Sequence, residues 1–275
     1  MNARPVHTLP RGVVHVARAE SVYPTIEPGS VSLVISDGPY GMVKAAWDRQ
    51  KGPDGLREWY RPHVEAWGRV CAPAASVYLW GTQRSVRALQ PLMEAEGWTW
   101  RTCVVWDKTT TPAIIGARNL TTWADSTEAC DVWTRGSTGR SKEFASMNVW
   151  RLPETAYRGE RLYAEDAVKH KYRPGAFNRQ SIHPCQKPLT FYDRIIRASS
   201  RPGDLVLEPF GGTLRAAAAC EAMPESEARR YVCIEPDEDG RGYVPAALAA
   251  IRADLEAARR APSLWEPPRP ETTHG

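Results

Sequence analysis

Short continuous apolar runs alternate with longer stretches of helical spacing along the chain, and this alternation predicts an α/β protein. Residues 12–17 and 31–36 read as strands, 56–70 as a helix, 76–80 as a strand, 85–95 as a helix and 98–106 as a strand. The pattern resumes with a helix at 189–199, a strand at 205–207, an alanine-rich helix at 213–222, a strand at 231–234 and a last helix at 243–258. Apolar runs such as 31–35, with little polar alternation, belong to strands covered on both faces, as in parallel sheets. Residues 108–182 break the rhythm. They are rich in Thr, Arg, Gly and Tyr, and within them only 129–134 reads as extended. A segment of that length with so little repeating structure is read as an insertion that carries function. The expected organisation is therefore one half-domain at 1–107, an insertion at 108–182, a second half at 183–260 and a loosely ordered, proline-rich tail at 261–275.

Composition narrows the classes. With 42% hydrophobic and 25% charged residues, a chain of 275 residues can bury a full core. The longest apolar runs, such as 245–251, fall short of the roughly 18 to 20 residues of a membrane helix. Residues 1–11 carry Pro5, Pro10 and charges in place of an apolar segment, so the expectation is a cytoplasmic protein with no membrane partner. Cysteines at 71, 103, 130, 185, 220 and 233 have wide, irregular gaps and no C-x-x-C pair, which argues for reduced, mostly buried thiols and no metal. The net charge of +4 is uneven: residues 135–180 hold ten lysines and arginines against five acids. A polyanionic partner would suit such a segment, and so would a solvated charged face.

Two loops carry candidate chemistry. Asp37-Gly38-Pro39-Tyr40 follows the strand at 31–36, at the carboxyl edge where open parallel sheets bind ligands. Taken alone it is an ordinary turn. After the strand at 205–207, Phe210-Gly211-Gly212 would let the backbone approach a ligand closely, and the following helix would offer free amides. Glu235 ends the next strand, where a nucleoside ribose is usually held by a carboxylate.

Between these loops the sequence becomes specific. His-Pro-x-Gln-Lys-Pro at 183–188, a helix, Pro-Gly-Asp at 202–204, a strand and Pro-Phe-Gly at 209–211 follow an upstream Asp-x-Pro-Tyr at 37–40. With Trp47-Asp48 and Trp106-Asp107-Lys108 as further landmarks, this order resembles the β group of the amino-methylating DNA methyltransferases. The match covers about residues 12–107 and 183–250. It implies a permuted Rossmann-like methyltransferase sheet with helices on both faces and an irregular inserted target-recognition region at 108–182.

The resemblance also implies S-adenosylmethionine as cofactor, double-stranded DNA as substrate, a restriction-modification setting and a homodimer. Asp37 and the Gly38 carbonyl would accept the two hydrogens of an exocyclic amino group on a flipped base, with Pro39 fixing the turn and Tyr40 stacking on the base. Lys187, Phe210, Gly211, Gly212, Thr213 and Glu235 would bind the cofactor: Phe210 near the adenine, the glycines beside the amino-acid portion, Glu235 on the ribose and Lys187 near the carboxylate. His183 is read as a structural hydrogen-bonding residue. Arg135, Arg140, Lys142, Lys169, Lys171 and Arg173 are candidate phosphate contacts, with Trp123, Trp133, Trp150 and Tyr172 lining the groove.

Two departures stand out. The glycine turn is shorter by two residues than the family's Phe-x-Gly-x-Gly-Thr, and Gly38 stands where the family has proline. Losing the proline ring is expected to widen the pocket or let Tyr40 shift, which together with Asp at the head of the loop favours adenine N6 over cytosine N4. Transfer to RNA or to a protein amide, and a nucleic-acid-binding protein without activity, are the other readings.

Overall fold

The computed structural model describes residues 5–41, 48, 50, 52–107, 127–136, 148–151, 186–237 and 242–260. In chain order the strands are β1 (Val6–Leu9), β2 (Gly12–His15), β3 (Val31–Ser36), β4 (Cys71–Gly81), β5 (Thr99–Asp107), β6 (Thr127–Thr134), β7 (Val149–Arg151), β8 (Leu205–Glu208) and β9 (Arg230–Ile234). The helices are α1 (Ala19–Val22), α2 (Gly52–Val70), α3 (Gln83–Ala95), α4 (Leu189–Ser199), α5 (Arg215–Ala222) and α6 (Tyr243–Arg260).

All these strands form one sheet in the order β1-β2-β9-β8-β3-β4-β6-β5-β7. From β2 through β4 neighbouring strands are parallel, while β6 runs antiparallel to both β4 and β5. Along β3 the residues from Leu33 to Ile35 alternate between two cores, as the pleat requires, and a register shift after Val31 puts that residue on the face of Val34. Leu33 and Ile35 of β3 pack with Ile195 of α4, Ala216 of α5 and Leu248 of α6. Val31 and Val34 pack on the opposite face with Leu56 and Val64 of α2 and Leu89 of α3. Helices therefore cover both faces, which is why β3 reads as a continuous apolar run.

The connections fix where a ligand can sit. From β3 the chain passes through α2 to β4 on one side, and from β8 it passes through α5 to β9 on the other. The winding reverses between β3 and β8, which pair directly with Val34 opposite Leu207. In doubly wound sheets the crevice outside the carboxyl ends at such a switch point is the ligand site. The loop beginning at Asp37 leaves one of these two strands, and the Phe210-Gly211-Gly212 turn leaves the other.

In the middle of the chain the stretch read as extended, 129–134, is a strand, and the structure adds to that reading. Residues 127–134 belong to the main sheet as β6, between β4 and β5, and 149–151 add β7 beside β5. Both fall in the segment read as an irregular insertion. The hairpin of β1 and β2 was also missed at β1, because four residues of which only Leu9 is buried carry little periodicity. Among the described residues no helix is long and apolar enough to cross a membrane.

Candidate active site

Asp37 follows directly on β3, and Lys187 precedes α4, 150 residues later. The fold brings them into contact. Lys187 Nζ donates to Asp37 Oδ1 at 2.9 Å and Oδ2 at 2.8 Å. It also donates to the Tyr40 hydroxyl at 3.0 Å and pairs with Glu128 Oε2 at 3.1 Å. The Tyr40 hydroxyl in turn donates to Asp37 Oδ1 at 2.7 Å and stands 3.3 Å from Glu128 Oε2. The Lys187 side chain is only 2% exposed, whereas Asp37 and Glu128 keep 16% and 15%. A buried ammonium requires charged partners, and these carboxylates supply them while still reaching solvent.

Lys187, expected near the cofactor carboxylate, has its ammonium on Asp37 and Glu128. Glu128 was not foreseen at all. Because β6 runs antiparallel to β4, its amino end lies at the same sheet edge as the carboxyl ends of β3 and β4, with Ala129 opposite Gly81.

The loop after Tyr40 is held from behind. Asp48, buried, accepts from the Gly41 N–H at 2.5 Å. Gly41 adopts φ +73°, and a Cβ there would meet the Gln50 carbonyl oxygen at 3.3 Å, so the turn requires glycine. Gly38 is enclosed more tightly. A Cβ on it would lie 2.5 Å from the Tyr60 hydroxyl and 2.8 Å from the Phe210 ring. The space a proline would take is filled by these two rings, so the expected widening of the pocket does not occur.

Phe210 leans on an aromatic cluster of α2, with ring centroids 5.1 Å from Trp59, 6.0 Å from Tyr60 and 4.9 Å from His63. His63 shares a hydrogen bond of 3.0 Å with the Tyr23 hydroxyl. Burial pushes its pKa down to about 4, against a smaller opposing pull from Glu20, so the imidazole beside Phe210 is neutral.

The shortened glycine turn closes without added residues. Gly211 donates to the Ile234 carbonyl at 2.8 Å, and a Cβ on Gly211 would press on Leu214 at 3.1 Å and on that carbonyl at 3.3 Å. Gly212 adopts φ +50°, and a Cβ there would meet nothing within 4 Å. Thr213 is buried, and Leu214, also buried, takes the left-handed conformation that a non-glycine residue adopts at a cost of roughly 1 to 2 kcal/mol. Glu235 accepts from the Gly212 N–H at 2.8 Å and from the Asp237 N–H at 3.3 Å, which fixes its carboxylate against the turn.

Below the turn, Glu208 is fully buried and accepts from the Ala216 N–H at 3.1 Å, and burial pushes its pKa up to about 8. A carboxyl held neutral there adds no negative charge beneath the turn at neutral pH. Arg215, buried at the start of α5, donates to the Lys187 carbonyl at 2.8 Å. The glycine turn and the Lys187 loop are thereby tied together, a link absent from the sequence reading.

Of the basic residues proposed for DNA, Arg135 is described and has another task. Its guanidinium donates to the carbonyls of Gly68 (2.6 Å) and Glu96 and lies 4.7 Å over the Trp98 ring. It follows Thr134, which pairs with Thr99 at the start of β5, so it sits at the sheet edge away from Asp37. Trp133 and Trp150 are core residues, and neither lines a groove. Arg140, Lys142, Lys169, Lys171, Arg173, Trp123, Tyr172 and His183 lie outside the described residues. Among the described residues no cluster of His, Cys, Asp or Glu could hold a metal ion.

Comparison with known proteins agrees with this geometry. The profile of a family described as DNA methylase (N6_N4_Mtase) matches residues 31–241. The Type II methyltransferase M2.DpnII of Streptococcus pneumoniae is 22% identical over 246 residues, covering 84% of this chain and 86% of that protein. Among solved structures, the cytosine-N4-specific PvuII DNA methyltransferase aligns with a TM-score of 0.65 at 14% identity, covering 94% of this chain and 95% of that one. A protein of Thermus thermophilus assigned as a DNA modification methylase, TTHA0409, was solved with S-adenosyl-L-methionine and aligns with a TM-score of 0.56 at 17% identity. There the coverage is 89% of this chain and 96% of that one.

The residues at the switch point suit the S-adenosylmethionine that this family uses. Gly212 leaves open space where a side chain would stand, Gly211 brings the backbone to the end of β9, and Glu235 presents a carboxylate beside both.

Proposed function

The chain belongs to the amino-methylating DNA methyltransferases, and from that premise we propose that it methylates the exocyclic amino group of a base flipped out of double-stranded DNA, adenine N6 in preference to cytosine N4. The observation that carries this reading is the meeting of Asp37 and the Gly211-Gly212 turn at the reversal of winding between β3 and β8. S-adenosylmethionine supplies an electrophilic methyl group on a sulfonium. Everything else is left to the protein.

An exocyclic amino nitrogen is a poor nucleophile because its lone pair is delocalised into the ring. Asp37 and the Gly38 carbonyl each accept one amino hydrogen, which turns the lone pair out of the base plane and aims it across the crevice. Catalysis of this kind is alignment plus stabilisation of the charge that grows on nitrogen. Tyr40, its hydroxyl pinned to Asp37, offers its ring to the base. Phe210, backed by Trp59 and His63, offers an apolar wall for an adenine ring, and Glu235 accepts from ribose hydroxyls. The preference for adenine N6 rests on Asp37 as the head of the loop.

Replacing Glu235 by alanine is expected to weaken S-adenosylhomocysteine binding by about 1 to 3 kcal/mol, because it strands the Gly212 N–H as well as the ribose partners. Titration calorimetry measures this, and unchanged affinity would remove Glu235 from the cofactor site. The substrate class is tested by presenting methyl-labelled S-adenosylmethionine with duplex DNA and with RNA of the same sequence. Label is expected in DNA, and transfer to RNA alone would overturn the assignment.

A further inference from the structure

Lys187 has more acceptors than one ion pair needs. Its ammonium carries three N–H donors, and four oxygens lie within 3.1 Å: both of Asp37, the Tyr40 hydroxyl and Glu128 Oε2. One carboxylate would neutralise the buried lysine. A second beside it repels the first, so its presence calls for a reason beyond pairing. The arrangement also bears on Asp37 as an acceptor. Each hydrogen bond from Lys187 draws electron density from the carboxylate that is to receive the amino hydrogen, and Tyr40 adds another on Oδ1.

We propose that Glu128 is a positioning residue that shares Lys187 with Asp37 and so leaves Asp37 free to accept a hydrogen from the target amino group. The inference rests on the proposed function above and deepens it. Glu128 reaches Lys187 from β6, whereas Asp37 stands on the loop after β3, and the Glu128 oxygen lies within reach of the Tyr40 hydroxyl too. Both groups that donate to Asp37 thus have a second acceptor at hand. When the amino group arrives, Lys187 and Tyr40 shift toward Glu128 without leaving a buried charge unpaired. Arg215, gripping the Lys187 carbonyl, keeps the backbone still while the ammonium moves. Without Glu128, Lys187 commits wholly to Asp37 and the target hydrogen competes with it.

The test uses Glu128→Gln, which keeps the size and removes the charge, together with Lys187→Met and the double variant, all assayed on duplex DNA beside the wild type. Glu128→Gln is expected to lower kcat by about tenfold or more, the size of one hydrogen bond to a charged group, with KM for S-adenosylmethionine within about twofold. Because Glu128 acts mainly through Lys187, Glu128→Gln should cost far less in the Lys187→Met background than in the wild type. Wild-type kcat in Glu128→Gln, or losses that multiply in the double variant, would overturn the role. An inactive wild type would overturn the proposed function and this role with it, whereas an active wild type beside an unaffected Glu128→Gln overturns this role alone.

Discussion

Asp37→Ala is expected to lower kcat for methyl transfer by about 10²- to 10³-fold or more while leaving affinity for S-adenosylhomocysteine within about a factor of two. The magnitude is that of removing one preorganised group at a developing charge. Selectivity follows from position: Asp37 belongs to the β3 loop, and the residues assigned to the cofactor leave β8 and β9. The variant should also fold. Removing Asp37 still leaves the Lys187 ammonium paired with Glu128 at 3.1 Å, so no buried charge is stranded. Single-turnover transfer from labelled cofactor, with calorimetry and a melting curve, measures all three quantities. Parallel loss of transfer and of cofactor affinity in a folded variant would place Asp37 in a different site.

Gly38→Pro, which restores the residue usual in the family, is expected to be harmful here. The Cβ would stand 2.5 Å from the Tyr60 hydroxyl and within 2.9 Å of two atoms of the Phe210 ring, closer than packed atoms tolerate. Tyr60 is fully buried and Phe210 is backed by Trp59 and His63, so neither ring has an easy retreat. Overpacking of this kind typically costs about 1 to 3 kcal/mol, and the strain falls on the loop that carries Asp37. Thermal unfolding should show lower stability, and kcat should fall with it. Adding Tyr60→Phe removes the oxygen at 2.5 Å and should restore part of the loss. A Gly38→Pro protein as stable and active as the wild type would mean that the two rings do not hold this backbone.

What the sequence revealed and what it hid divide along physical lines. β3 and α4 read with correct ends because apolar runs and 3.6-residue spacing are local signals, and both elements bury a full face. The loops that leave β3 and β8 were legible because glycine, proline and acid at a strand end are also local. The contact of Lys187 with Asp37 was not, since the two lie 150 residues apart and meet only because the helix after Lys187 packs on β3. Glu128 was hidden for a further reason. An acid ahead of a strand reads as a surface residue until the strand is known to run antiparallel, which turns its amino end toward the site. The rings filling the place of the missing proline come from α2 and from the glycine turn, and no spacing in the sequence links them to Gly38.

The central claim is that this loop aims an exocyclic amino nitrogen at the methyl donor. Its most direct test is mass spectrometry of the nucleosides released from unmethylated duplex DNA after incubation with the protein and methyl-labelled S-adenosylmethionine. The account predicts label on an exocyclic nitrogen, as N6-methyladenine; N4-methylcytosine would change the base and keep the chemistry. Label on a ring carbon, as 5-methylcytosine, or DNA left unlabelled by a protein that binds the cofactor, would contradict it.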